Sequence, residues 1–250
     1  MIAAAPSATA TTTATTASTT RAGRRRPVLA ARALKRLIAD PERTEEVFAV
    51  LQHLSGDALQ RGYARFAAQP QRLPWLEQSM VEVLNDRDRL RQLPAGSLGR
   101  AYLQFVETEQ LSADGLVEAS SIGRDDTMEL QMRRYGERTR DTHDLWHVLT
   151  GYGRDTFGEA CLLGFSYAQL KDFGIGVIAV VGALKIAKER GFGVLGAVWQ
   201  AYRAGRRAQW LPGEDWATVL AEPLDAVRAR LNIAPPTRYR EVRQAFTAAA

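Results

Sequence analysis

From Pro27 toward the C-terminus, apolar residues recur three and four positions apart, and no stretch alternates strictly between apolar and polar residues with hairpin turns at its ends. A period near 3.6 gathers side chains on one face of a helix, whereas a half-buried strand needs a period of two. PVLAARALKRLIAD collects Val28, Leu29, Leu34, Leu37 and Ile38 into one stripe and stops at Asp40-Pro41, where the backbone is steered away from helix. ERTEEVFAVLQHLSG repeats the scheme with Val47, Phe48, Val50, Leu51 and Leu54. Further helical patterns run over Leu59–Phe66, Leu76–Leu84 and Leu98–Phe105. A long one covers Asp125–Tyr152, and others cover 155–170, 174–190 and 191–210. PGEDWATVL and EPLDAVRARL read as two short terminal helices, each opened by proline or an acid. The expected fold is all-α: a single multi-helix domain over residues 27–250, preceded by a disordered low-complexity tail over residues 1–26.

The tail is AAAPSATATTTATTASTT followed by RAGRRRP, a composition that cannot build a core. No acid precedes Asp40, so the segment also has the look of a transit peptide, but the arginine-heavy composition favours a solubilising bacterial tail or a misassigned start codon. The formal net charge is +5, but Arg21, Arg24, Arg25 and Arg26 supply most of it. The remainder is near neutral, so nucleic acid is not expected as a partner. Cys161 is the one cysteine, which excludes an intrachain disulfide and reads as a small core residue beside Leu162 and Leu163. The longest apolar run, Phe173–Leu184, falls short of the roughly 20 residues that span a bilayer.

Against this background stands HDLWHVLTGYGRDTFGE, His143–Glu159, which holds two of the three histidines. His143 and His147 are an i, i+4 pair, and Asp144 is i, i+3 from His147. One helix therefore presents two imidazoles and a carboxylate toward a common point. Leu145, Val148, Leu149 and Tyr152 follow a spacing that faces a core. Gly151 and Gly153 interrupt the helix, and Asp155 or Thr156 suits the N-cap of the next. The connection is short, so the two helices are antiparallel neighbours. His147 precedes Gly153 by six residues and Glu159 follows it by six, which puts both side chains at the same height. Imidazole nitrogens and carboxylate oxygens together suit Zn²⁺ first, and Fe²⁺ in a two-histidine, carboxylate arrangement. The competing reading is two helix histidines packed under a loop with ordinary acid partners. His53, ninety residues away on an apolar stripe, reads as structural.

Several other chemistries are excluded. A zinc protease HExxH needs glutamate after its first histidine, and Asp144 is a methylene too short to serve as that base. HD-type phosphohydrolases need further histidines, and only His53 is spare. No GxxxxGK[ST] occurs, and GIGVIAVVG follows no strand. Arg133, Arg134, Arg138 and Arg140 precede the motif and could steer an acidic aromatic, but each reads first as part of a solvated helix face.

HDxxH, eleven residues and then Glu resembles the coenzyme Q biosynthesis protein 4 family. LPAGSLGRAYLQF, RYGERTRDTHD and AYRAGRRAQWLPGEDWATVLAEPLDAVRARLNI are similar to that family's sequences on either side, so the resemblance covers Pro27–Ile233. It implies an all-helical fold whose metal ligands are His143, Asp144, His147 and Glu159, with zinc the first choice of divalent ion and iron the second. It further implies an apolar groove for a polyprenyl tail, and oxidative decarboxylation of a polyprenylated hydroxybenzoate, with a hydroxyl placed where the carboxylate was. The implied partners are that aromatic substrate, other ubiquinone-biosynthesis proteins and a membrane surface, with a homodimer also compatible. The implied location is peripheral, at the cytoplasmic face of a bacterial inner membrane or at the mitochondrial matrix side. The alternative is a non-catalytic scaffold that binds the prenyl lipid, organises the pathway enzymes and carries a structural metal.

Overall fold

A computed structural model describes residues 25–40, 43–109 and 128–248. The tail expected over residues 1–26 lies almost wholly outside these, as do positions 125–127 of the expected long helix. Among the described residues all regular structure is helical: fourteen α-helices and two 3₁₀ segments. In chain order they are α1 (Pro27–Ala39), α2 (Thr44–Leu54), α3 (Ala58–Ala67), α4 (Met80–Asn85), α5 (Arg87–Gln92), α6 (Leu98–Thr108) and α7 (Leu130–Asp141). Then come α8 (His143–Thr150), α9 (Thr156–Leu170), α10 (Phe173–Arg190), α11 (Gly193–Arg207), α12 (Trp216–Val219), α13 (Leu224–Arg230) and α14 (Thr237–Ala248). None of the described helices is long and apolar enough to cross a membrane.

Helix α9 is the axis of the main core. Its Phe157, Ala160, Cys161, Leu162 and Phe165 are buried against α11 and the C-terminal helices. Small residues permit the approach: a Cβ added at Gly205 would lie 2.5 Å from the Phe165 carbonyl oxygen. The end of α11 is fixed to α9 by one buried side chain. Gln169 Nε2 donates to the Gly205 carbonyl at 2.6 Å, and the Leu211 amide donates to Gln169 Oε1 at 2.9 Å. Replacing Gln169 with leucine would leave both backbone groups buried without a partner, each costing about 1–3 kcal/mol. We expect Gln169→Leu to lower the urea-unfolding free energy by at least about 2 kcal/mol; an unchanged midpoint would show that water replaces the amide.

A second, smaller core joins α1 and α2 to α10 through Ala30, Ala33, Leu37, Val50, Leu54 and Ile178. It is latched where Asp172 caps α10, accepting from the Gly174 amide at 2.8 Å and from the Ser55 hydroxyl at 2.7 Å.

Three local expectations are corrected. The long helix toward Tyr152 is two helices: the backbone leaves helical geometry at Thr142, whose buried hydroxyl bonds back to the Arg138 carbonyl at 3.0 Å. The Leu76–Leu84 pattern is split between a 3₁₀ segment, Pro70–Glu77 with Pro74 inside it, and α4. Arg138 is no part of a solvated face: it is buried and donates to the Glu214 carbonyl at 2.8 Å and the Trp75 carbonyl at 3.4 Å. Burial pushes its guanidinium down to about 10. Arg134, by contrast, pairs with Glu77 near the surface. Beyond the two expected terminal helices the chain forms a further one, α14, whose Tyr239 is buried and whose Val242 and Phe246 pack on the main core.

Candidate metal centre

The hairpin of α8 and α9 is built by local backbone chemistry. Gly151 ends α8 in the left-handed region, φ 74°, and its amide donates to the His147 carbonyl at 2.8 Å. Asp155 then caps α9, its Oδ1 accepting from the Phe157 amide at 3.2 Å and the Gly158 amide at 3.1 Å. Glu159 therefore sits in the first turn of α9, facing back toward α8.

The four candidate ligands meet unequally. One ligand atom each from His143, Asp144 and His147 can be chosen so that all three lie within 4.8 Å of one another. Glu159 stands outside that mutual set but beside both rings, with Oε1 3.1 Å from His147 Nε2 and Oε2 4.0 Å from His143 Nε2. The two imidazole centroids are 4.9 Å apart and nearly perpendicular. His143 Nδ1 lies 3.4 Å from Asp144 Oδ1.

His147 fixes the chemistry of the site. Its Nδ1 lies 3.0 Å from the Tyr152 carbonyl oxygen, which can only accept, so the proton resides on Nδ1. Nε2 then presents a lone pair to Glu159 Oε1 at 3.1 Å. Two acceptors at that separation repel unless a proton or a cation stands between them. A backbone carbonyl orienting one nitrogen of a histidine while the other faces a carboxylate is the usual outer support of a ligating imidazole. The residues present thus fit a divalent ion: two imidazoles, two carboxylates and an acceptor pair in need of positive charge.

The electrostatics agree. For Glu159, burial alone would raise the carboxyl, but the adjoining His147 ring and the neighbouring His143 and Arg154 outweigh it and hold it below the usual range. For His143, burial would lower the ring, yet the Asp144 hydrogen bond and the charges of Glu159 and Asp144 raise it. The carboxylates thus favour a proton on His143, with which an arriving cation would compete.

The inner wall is dry. The His147 side chain is 0 % exposed and lies under the Phe105 ring of α6, stacked at 5.7 Å. The outer side is open, with His143 28 % and Glu159 33 % exposed. A surface groove of about 630 Å³ along α6, lined by Gly96, Arg100, Gln104, Glu107 and Leu224 among others, shares no residue with the cluster. Polar residues (Arg100, Gln104, Glu107, Thr108) and apolar ones (Ala95, Ala101, Leu103, Leu224) share its lining, unlike the long apolar groove that the resemblance implies. Phe105, Gly158 and Tyr239 all support the site and escaped the sequence reading. Gly158 had the better signal, a glycine inside a helical pattern, which generally marks close packing.

A family model described as coenzyme Q (ubiquinone) biosynthesis protein Coq4 matches residues 19–237. The ubiquinone biosynthesis protein COQ4, mitochondrial, of Podospora anserina is 32% identical over 174 residues, 65% of this chain and 56% of its own. The corresponding mitochondrial protein of Penicillium rubens is 33% identical over 174 residues, 65% of this chain and 59% of its own. The chain thus spans little more than half the length of these curated relatives. The crystal structure of a Nostoc punctiforme PCC 73102 protein assigned to ubiquinone biosynthesis superposes with a TM-score of 0.61 over 84% of this chain and 99% of its own, at 19% identity, a likeness of fold.

Proposed function

The chain belongs to the coenzyme Q (ubiquinone) biosynthesis family Coq4, and we propose that it acts in ubiquinone biosynthesis as a metal-dependent oxidative decarboxylase of a polyprenylated hydroxybenzoate, with His143, Asp144, His147 and Glu159 as the ion's ligands. One observation carries the reading. A donor set with a buried inner ligand, His147, is open on its outer side at His143 and Glu159. A structural ion is normally closed off by protein donors, whereas a catalytic one keeps a position for water or substrate. That openness favours the enzyme over the scaffold.

When bound, a divalent ion would stabilise negative charge developing on the aromatic ring's oxygen, and iron, unlike zinc, would add redox capacity. The protein's own residues have distinct tasks. Phe105 keeps water from the inner face of His147. The Tyr152 carbonyl holds the proton on His147 Nδ1 and leaves Nε2 free to ligate. Arg154, whose charge acts on Asp144 and Glu159, would attract the substrate carboxylate toward the site. A membrane surface as partner is supported by exposed apolar side chains. Val180 and Leu184 share a face of α10, Phe192 and Trp199 stand seven residues apart on and before α11, and Lys185 and Lys188 lie on α10 too. Other ubiquinone-biosynthesis proteins are the further partners proposed.

The test is single-turnover assay of the purified chain, loaded in turn with Zn²⁺ and Fe²⁺, on a prenylated hydroxybenzoate in anionic vesicles under O₂. Release of ring-derived CO₂ with hydroxylation at the same carbon is expected. Tight substrate binding without turnover under either ion would transfer the assignment to the scaffold.

A further inference from the structure

Helix α14 reaches back to the loop that joins the two halves of the candidate centre. Tyr239 is 1 % exposed there, and its hydroxyl has two partners in that loop. It accepts from the Gly153 amide at 3.0 Å and donates to Asp155 Oδ2 at 3.2 Å. Its ring packs edge-on against Tyr152, centroids 5.3 Å apart, and at a tilt against Phe157, 4.9 Å away. Each contact leads to a ligand. The Tyr152 carbonyl holds the His147 ring at 3.0 Å. The other oxygen of Asp155 caps α9, and the Glu159 amide donates to the Asp155 carbonyl at 2.9 Å. A Cβ at Gly153 would lie 2.9 Å from the Tyr239 oxygen, so the loop is fitted around that hydroxyl.

We propose that Tyr239 is a positioning residue for the metal centre: its hydroxyl fixes the loop that sets His147 against Glu159. The inference rests on the metal-site reading of the hairpin. Tyr239 acts through the loop on either side of Gly153, its hydroxyl bonded to the Gly153 amide and the Asp155 carboxylate. It comes from a helix more than eighty residues downstream, so the C-terminal helix is a working part of the site rather than a cover for the core.

The test uses the full chain and Tyr239→Phe, which keeps the packed ring and deletes the hydroxyl. Zn²⁺ affinity is measured by competition with a chromogenic chelator, and Co²⁺ coordination by its visible d–d bands. Removing an outer support of a ligand generally weakens metal binding about 10–100-fold. We expect a Kd increase in that range, an altered Co²⁺ spectrum and faster amide exchange over residues 153–159. Ser55→Ala is the control, since it also deletes a hydroxyl bonded to a helix-capping carboxylate, Asp172, but at the far end of α9. It is expected to reduce stability and leave affinity and spectrum as in the parent. Parent-like affinity and spectrum in Tyr239→Phe would overturn the inference alone, as would an equal loss in Ser55→Ala. A parent that binds neither ion would remove the metal-site reading and this inference with it.

Discussion

Replacing His147 with alanine is expected to abolish metal retention by the purified chain while leaving its far-UV helical signal close to the parent's. Of the four candidate ligands His147 is the one fully withdrawn from water, and both of its nitrogens have assigned partners. Alanine leaves the Tyr152 carbonyl and the Glu159 carboxylate without that ring, a local loss of about 1–3 kcal/mol, which a core of this extent can absorb. The remaining donors are His143, already engaged by Asp144, and a Glu159 that has lost its nearest imidazole. Affinity should fall by more than the roughly 10–100-fold typical of outer-support changes, because a donor itself is gone. Elemental analysis of protein purified without added metal decides it. Equal metal content in parent and variant would remove the basis for the site.

Glu159→Gln separates charge from shape at the same place. In the metal-free protein an amide can donate to His147 Nε2, curing the clash of two acceptors 3.1 Å apart. The glutamine variant should therefore be at least as stable as the metal-free parent and yet bind metal worse. If the pair were a purely structural hydrogen bond between a charged ring and a carboxylate, the same change would lower stability instead.

The helices that build this site were legible because their signals are local. An i, i+4 histidine pair, a glycine able to take positive φ at 151 and an aspartate able to cap at 155 act within one turn of the chain. The equal distances of His147 and Glu159 from Gly153 convert directly into height along two antiparallel helices. What was not legible depends on contacts made across the fold. Periodicity marks which face of a helix is apolar but not which other helix covers it, so the Phe105 ring on His147 could not be foreseen. The α14 pattern itself, Pro235-Pro236 ahead of Tyr239, Val242 and Phe246, is a readable helix start with one apolar stripe. Its arginines hid it as surface, and nothing in it says that the Tyr239 hydroxyl meets a loop 86 residues away. Thr142 shows the converse limit. A β-branched residue sits within many helices, and Thr139 makes the same hydroxyl back-bond inside α7 without ending it, so nothing local to Thr142 announces that the backbone leaves helix there.

Gly158→Ala should damage both stability and metal binding, against the ordinary preference of helices. Alanine is better than glycine inside a helix by about 0.8–1.0 kcal/mol, and Gly158 lies in the first turn of α9 with no positive φ. The opposing effect is larger. A Cβ at this position would stand 2.0 Å from the Gly153 carbonyl oxygen and 2.6 Å from its carbon, and both are backbone atoms. Gly153 cannot retreat freely, because its amide is held by Tyr239 and Asp155 is held in turn by the cap it makes. Overpacking against fixed backbone costs about 1–3 kcal/mol, occasionally more, and this contact belongs at the upper end. A net loss of about 3 kcal/mol corresponds to a Tm lower by roughly 6–12 °C in a domain of this size. Relief of the clash requires the loop or the start of α9 to move, and Glu159 is the next residue, so metal affinity must fall with stability. Gly182→Ala in α10 is the matched comparison. Its Cβ meets nothing within 4 Å, so the propensity gain stands alone and the variant should be stabilised by about 0.5–1 kcal/mol. Opposite signs at the two glycines, read by thermal unfolding, are the expected result. A Gly158→Ala chain as stable as Gly182→Ala would mean that the hairpin closes less tightly than 2.0 Å demands, and the fixed distance between His147 and Glu159 would lose its physical cause.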